Sequence, residues 1–208
     1  MPQAIEPKRK KATSAEKKRM ILDAAKRVFE EEGLEGSSLR SIAAEAGYTP
    51  AALYFHFSSR EEIYAELLSQ SLHQLKDYID QRVSKRETAG ERFEEAAWSF
   101  FDFYNKNPED LSLGLYLFRG GIEPQGVGRE RNQKLNQELY DCLAPIAEAA
   151  EELGADKHLG QNLMARMFAH STGILLLAHT KRIRLFEQDP EQMMRDYIEE
   201  QIKEQNWN

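Results

Sequence analysis

Ser37-Ser-Leu-Arg-Ser-Ile-Ala-Ala-Glu-Ala-Gly-Tyr-Thr-Pro-Ala-Ala-Leu-Tyr-Phe-His-Phe-Ser-Ser-Arg60 is the stretch on which the fold turns. Leu39, Ile42, Ala43 and Ala46 recur at spacings of three and four, which places them on one face of a short helix. Ser38 is a capping residue at its start, and Gly47 stands where a left-handed residue ends a helix. Thr49 then caps a second helix, with Pro50 at its first position, where a missing N–H costs nothing. Leu53 and Phe57, four apart, point inward from it. So short a helix is unstable alone and must be held by packing. Two short helices around a tight glycine turn form a helix-turn-helix.

Upstream stand Arg19-Met-Ile-Leu-Asp-Ala-Ala-Lys-Arg-Val-Phe29 and Glu32-Gly33-Leu34. Thr13 and Glu16 form a capping box for the helix that carries Met20, Ile21, Ala24, Ala25, Val28 and Phe29, expected to end before Gly33. The order of motifs, I-L-x-A-A-x-x-x-F-x-x-x-G, then S-L-x-x-I-A-x-x-A-G, then L-Y-x-H-F-x-S-(K/R)-E, resembles the N-terminal DNA-binding domain of TetR/AcrR-type transcriptional regulators, over roughly residues 13–68. The resemblance implies a cytoplasmic homodimer that binds operator DNA. It also implies a body holding a small-molecule pocket, and a four-helix interface made by the last two helices of each subunit. Ligand would shift the fourth helix and respace the reading heads. Tyr54, His56 and Arg60 would contact phosphates. The DNA-facing set expected here is Ser38, Arg40, Tyr48, Thr49, Pro50, Ala51, Tyr54, Phe55, His56 and Arg60. Where the family commonly has Ser-Lys-Gly-Ala, this chain has Thr49-Pro50-Ala51-Ala52. A lysine contact is lost, and Pro50 and Ala51 are left to pack on thymine methyls. Arg40 is the candidate for a bidentate guanine contact.

The charge is distributed in keeping with that reading. The 208 residues carry a net charge of −7. Residues 1–60 hold eleven Lys/Arg against eight Asp/Glu, or +3, which leaves −10 for residues 61–208. A basic head on an acidic body orients approach to a polyanion. Residues 1–12, with Lys8-Arg-Lys-Lys11, read as a disordered basic arm, either a contact to DNA or a solubilising tail. Residues 13–60 are the expected DNA-binding domain and 61–208 the ligand-binding and dimerisation domain. No apolar run is long enough to span a bilayer, no secretory signal is visible, and the single Cys142 fits a reducing cytoplasm.

The body patterns as six helices, so the fold class is all-α: a three-helix head plus a six-helix body. Ser58 to Glu62 is a capping box that opens a helix expected to reach the Lys85-Arg86 region. The next helix, about residues 90–106, is apolar on nearly every side and belongs at the centre. Others are expected at about 109–119, 129–153 (kinked or split at Pro145), 156–182, and from Asp189-Pro190 onward. Gly120 to Gly128 reads as a loop. An apolar pocket is expected from Trp98, Phe101, Tyr104, Phe118, Tyr140, Met167 and His170, taking an apolar or amphipathic effector. Two apolar stripes on the helix over 156–182, and one on the helix from Asp189-Pro190 onward, assign Phe168, Ser171, Leu175, Met194, Tyr197 and Ile198 to the dimer interface.

Enzyme chemistry finds no support. His170 and His179 are nine residues apart, about 900° of helix, and so face opposite ways. No pair has the spacing of a helical zinc site. No phosphate-binding glycine loop, nucleophile elbow or distinct carboxylate pair is present, and neither metal nor cofactor is expected. Cys142 reads as a small apolar filler, with redox sensing as the alternative. Control by a protein partner, an activating role, and a helical carrier or enzyme that merely contains a helix-turn-helix-like corner are the other functional readings.

Overall fold

The computed structural model describes residues 13–116, 127–205 and 207. The basic arm, Phe118 and most of the loop expected over 120–128 lie outside these residues. Every regular element among the described residues is helical, and none is long and apolar enough to cross a membrane.

Contacts divide the chain into two units after Leu67. In the first, α1 (Ser14–Gly36) opens with the expected capping box: the Thr13 hydroxyl accepts from Glu16 N and the Glu16 carboxylate accepts from Thr13 N. Its regular part is interrupted at Gly33, whose φ of 71° is left-handed, and one further turn follows. The helix α2 (Leu39–Glu45) is capped by Ser38, and Gly47 takes a φ of 71° in the turn beyond it. Thr49 caps α3 (Pro50–Tyr54), accepting from Ala52 N at 3.2 Å. In α4 (Arg60–Val83) the cap is one residue later than the first serine: Glu62 N donates to Ser59 Oγ, while the Glu62 carboxylate accepts from Ser58 N at 2.7 Å. Ile21, Ala24, Ala25, Ile42, Ala43, Leu53, Phe57 and Ile63 form the buried core of this unit.

In the second unit, α5 (Ala89–Lys106) packs on α7 (Arg129–Glu152), α8 (Lys157–His179) and α9 (Pro190–Glu204), with α6 (Pro108–Tyr116) at its end. It is buried on all sides, as its pattern requires. Pro145 does not split α7, which continues through it. A Cβ at Gly160 would stand 3.2 Å from the Ala147 carbonyl oxygen, so glycine sets the close approach of α8 to α7. The expectation that α8 reaches residue 182 is corrected. It ends at His179, Lys181 turns left-handed at φ 59°, and a 3₁₀ turn (Arg182–Phe186) leads to α9.

Helix α5 also buries two carboxylates. Arg82 Nε donates to Glu95 Oε1 at 2.5 Å, Arg86 grips the other oxygen, and Ser99 Oγ donates at 3.1 Å. Asp102 accepts from Tyr78 and Lys106. Burial pushes the Glu95 pKa up, but the hydrogen bonds from Arg82 and Arg86 outweigh it and hold the carboxyl below its ordinary value. A depressed carboxylate stabilises the fold above the unfolded-state pKa, and that contribution is lost as pH falls through the folded value. Glu95→Gln should therefore cost about 1–3 kcal/mol at pH 7, towards the lower end because Arg86 is half exposed to screening solvent. The deficit should shrink below about pH 4, near the ordinary glutamate value. Urea denaturation of both proteins at pH 7 and at acid pH checks this; an equal deficit at both would rule it out.

Candidate nucleic-acid interface

The first unit presents a short helix whose inner side is anchored and whose outer side is bare. Leu53 and Phe57 are buried. Thr49, Pro50, Ala51 and Ala52 are exposed. Tyr54 is 59% exposed and Phe55 89%, the latter edge-on to the half-buried His56 ring. An 89% exposed phenylalanine is costly to leave in water and is the kind of side chain that marks a contact surface. Tyr48 is half-buried, its hydroxyl turned towards Met20 Sδ at 3.8 Å.

Beside α3 lies an open groove of about 550 Å³. Ser38, Arg40, Tyr54, Ser58, Ser59 and Arg60 line it, together with Glu61. Five hydroxyl residues (Ser37 with Ser38, Tyr54, Ser58 and Ser59), the exposed Arg40 and the N-terminus of the long helix α4 converge there. Hydroxyls, arginine and a helix N-terminus are the groups that hold phosphate oxygens. Ser58 and Ser59, absent from the expected DNA-facing set, also line this groove. Their signal was present in the capping box that opens α4.

Arg60 differs most from expectation. Its Nη1 donates to the carbonyl oxygens of Leu34 and Ser37, both at 2.9 Å, and its Nε donates to Glu61 Oε1 at 2.7 Å. Ser37 Oγ, itself buried, donates to the same Leu34 carbonyl at 2.7 Å. Arg60 thus ties the link between α1 and α2 to the start of α4. It lines the groove as a brace with its donors turned into the protein, and Arg40 is the exposed cation of the pair.

The expected pocket residues are not one cluster. Phe101, Tyr104, Met167 and Trp98 are buried. Trp98 lies under Arg195 of α9, 3.8 Å from its ring centroid, and His170 stacks on Tyr197 at 3.7 Å. Tyr104 faces the other way, with Ser71 and Cys142 near its hydroxyl. Trp98 and Tyr104 are six residues apart, about 240° around the helix, so they meet different neighbours. Tyr140 is corrected: it is 42% exposed, two residues from the inward Cys142 on α7. Phe118 lies outside the described residues. Cys142 donates to the Leu72 carbonyl, and burial pushes its thiol up to about 12.

The interface set is corrected too. Ser171, Leu175, Met194 and Ile198 are buried within the single chain. Ser171 Oγ meets Met194 Sδ at 3.4 Å, and Phe168 packs edge-on against Phe100 of α5. Tyr197 is half-buried under His170. The face of α8 left open carries Ala165, Ala169, Gly173 and Leu176 instead.

The family described as bacterial regulatory proteins, tetR family, matches residues 21–67, the segment that builds this interface. That segment resembles the DNA-binding domain of the tetR family. It is 41% identical over 154 residues to the HTH-type transcriptional repressor BepR of Brucella suis, an alignment covering 72% of this chain and 64% of that protein. It is 30% identical over 98 residues to the HTH-type transcriptional activator FasR of Mycolicibacterium smegmatis, covering 47% of this chain and 45% of that one. The chain thus spans less than two thirds of the length of these relatives. Its fold matches that of the transcriptional regulator FadR from Bacillus subtilis, crystallised with stearoyl-CoA, with a TM-score of 0.67, 19% identity, and coverage of 87% of this chain and 95% of that one.

The two roles of Arg60 separate experimentally. Arg60→Ala removes a donor from two carbonyls, of which Leu34's keeps its bond from Ser37 Oγ, and should destabilise the first unit by about 1–3 kcal/mol. Hydrogen exchange of the amides of α2 and α3 in the full chain reads this out. Unchanged protection there would return Arg60 to a purely phosphate-contacting role.

Proposed function

We propose that this chain is a ligand-responsive, DNA-binding transcriptional regulator, acting in the cytoplasm as a homodimeric repressor that a small apolar or amphipathic effector releases from its operator. The observation that carries the reading is the bare outer face of α3 beside a groove of hydroxyls and Arg40. Small apolar side chains at Pro50 and Ala51 suit thymine methyls in a major groove, while the groove beside them suits the flanking phosphates. The repressor BepR supports the sign of regulation. Binding of stearoyl-CoA by FadR supports an amphipathic ligand for this fold. An effector acts only by its differential affinity for the DNA-incompetent state, whatever its absolute affinity. The activator FasR favours a second reading, in which the same interface recruits rather than blocks transcription. Run-off transcription from the bound promoter separates the two.

Two copies reading two half-sites place them about 34–36 Å apart or a multiple. The open α8 face supports the pairing: Ala165, Ala169 and Gly173 allow close helix approach, and Leu176, 46% exposed, supplies apolar area. Leu176→Glu should give folded monomers in sedimentation with specific DNA binding lost. Leu175→Glu, altering a side chain buried within the chain, should instead unfold it. A monomeric unaltered chain at micromolar concentration would overturn the dimer.

Arg40→Ala should relax base preference at one position per half-site, costing about 1–3 kcal/mol, with little change in salt dependence. Gel shifts on the DNA upstream of the chain's own gene, and then on a randomised operator, check this. A uniform loss across sequences with a shallower salt slope would make Arg40 a phosphate contact.

A further inference from the structure

The outer side of α3 is apolar as well as bare. Phe55 continues the helical backbone beyond Tyr54, at φ −68° and ψ −24°. At about 100° per residue, Ala51 and Phe55 lie about 40° apart, and both stand across the helix from the buried Leu53. Pro50, Ala51, Ala52 and Phe55 are exposed. None of these four side chains has a hydrogen-bond donor or acceptor. The Thr49 hydroxyl ahead of them is engaged as the cap, accepting from Ala52 N. Tyr54 turns to the neighbouring groove, which it lines. Phe55 is the most exposed large apolar side chain among the described residues, and its ring meets that of His56 edge-on at 5.9 Å. Leaving it in water is a cost that a partner surface removes.

We propose that α3 reads DNA through C5-methyl groups, so that Pro50, Ala51 and Phe55 recognise thymine and 5-methylcytosine alike, and the chain binds more tightly where a cytosine at these positions carries that methyl. This rests on the DNA-binding reading above and names the chemical feature that the face recognises. In the major groove thymine and cytosine differ twice: thymine has a methyl that cytosine lacks, and it presents an acceptor, O4, where cytosine presents the N4 donor. A side chain with a donor or an acceptor senses the second difference. An aliphatic or aromatic surface senses the first alone. 5-Methylcytosine joins the cytosine donor to the thymine methyl, and to such a surface it is equivalent to thymine. Uracil has the thymine edge without the methyl, and to the same surface it is equivalent to cytosine. The neighbouring groove favours duplex DNA as the occupant of this face, since Ser38, Ser58, Ser59, Tyr54 and Arg40 are groups that hold phosphate oxygens beside it. Arg40 supplies the polar base contact, and the pyrimidines under α3 are read by their methyls.

Single-base replacements in the operator test this. The full-length chain first selects its operator from randomised duplexes. Each thymine of a half-site is then replaced in turn by deoxyuridine, by cytosine and by 5-methylcytosine, the last two with guanine opposite, and binding is followed by fluorescence anisotropy. At positions under α3, deoxyuridine and cytosine should each weaken binding about 3- to 10-fold, on the order of one methyl group left unburied. 5-Methylcytosine should restore binding to within about 2-fold of thymine, because the methyl is what the face reads. Phe55→Ala should bring thymine and deoxyuridine to equal affinity at its position and leave the salt dependence unchanged, since no charge is removed. Phe55→Leu keeps an apolar surface and should keep the preference for the methyl. Deoxyuridine bound as tightly as thymine at every position, 5-methylcytosine bound no better than cytosine, or methyl dependence undiminished everywhere in Phe55→Ala would each overturn the proposal while specific DNA binding stands. Selection that yields no bound duplex would overturn the DNA-binding reading and this one with it.

Discussion

A helix of five residues makes little more than one turn and has too few internal hydrogen bonds to persist in water. The first unit therefore has to hold α3 (Pro50–Tyr54) in place from outside. Its two inward side chains, Leu53 and Phe57, are buried, α3 packs on α2, and Lys18 of α1 lies over the Phe57 ring. Its ends are fixed by the Thr49 cap and by the turn through Gly47, whose left-handed backbone a larger residue would strain. Arg60 then locks the neighbouring link by gripping the Leu34 and Ser37 carbonyls. With the holding done from one side, the outer residues of α3 are left exposed.

Such rigidity assigns the cations unequal work. The Arg60 guanidinium is committed to two backbone carbonyls. Arg40, exposed on the first turn of α2, has no such commitment printed into the fold and bears on the groove from the solvent side. The same contrast runs through the body. Arg82 and Arg86 are spent on Glu95, and Lys106 on Asp102, so the buried carboxylates of α5 are matched within the chain.

Helix α5 shows how an all-round apolar pattern divides its aromatics. Phe100 meets Phe168 of α8, Phe103 meets Tyr78 of α4, and Trp98 meets Arg195 of α9. Residues that look like a single aromatic box in one dimension are distributed around a cylinder and serve three interfaces. Pocket membership depends on which of those directions is left unfilled, and the angle between side chains decides it more than their number does.

The helices, their caps and the identity of the head were legible in the sequence because their signals are local. Thr13-x-x-Glu16, Ser38, Gly47 and Thr49-Pro50 each act within four residues, and the inward positions recur with the helical period. The family followed from such motifs in order. The sequence could not say which of two apolar stripes on α8 meets its own chain and which stays open. Leu175 and Leu176 are chemically alike, and only the placement of α5 and α9 buries one and exposes the other. It could not say that Arg60 turns inward either, since its acceptors are carbonyls 23 and 26 residues away in the chain. Periodicity determines what a segment becomes by itself; which neighbour covers each face is a property of packing, and packing is settled by residues far apart in sequence.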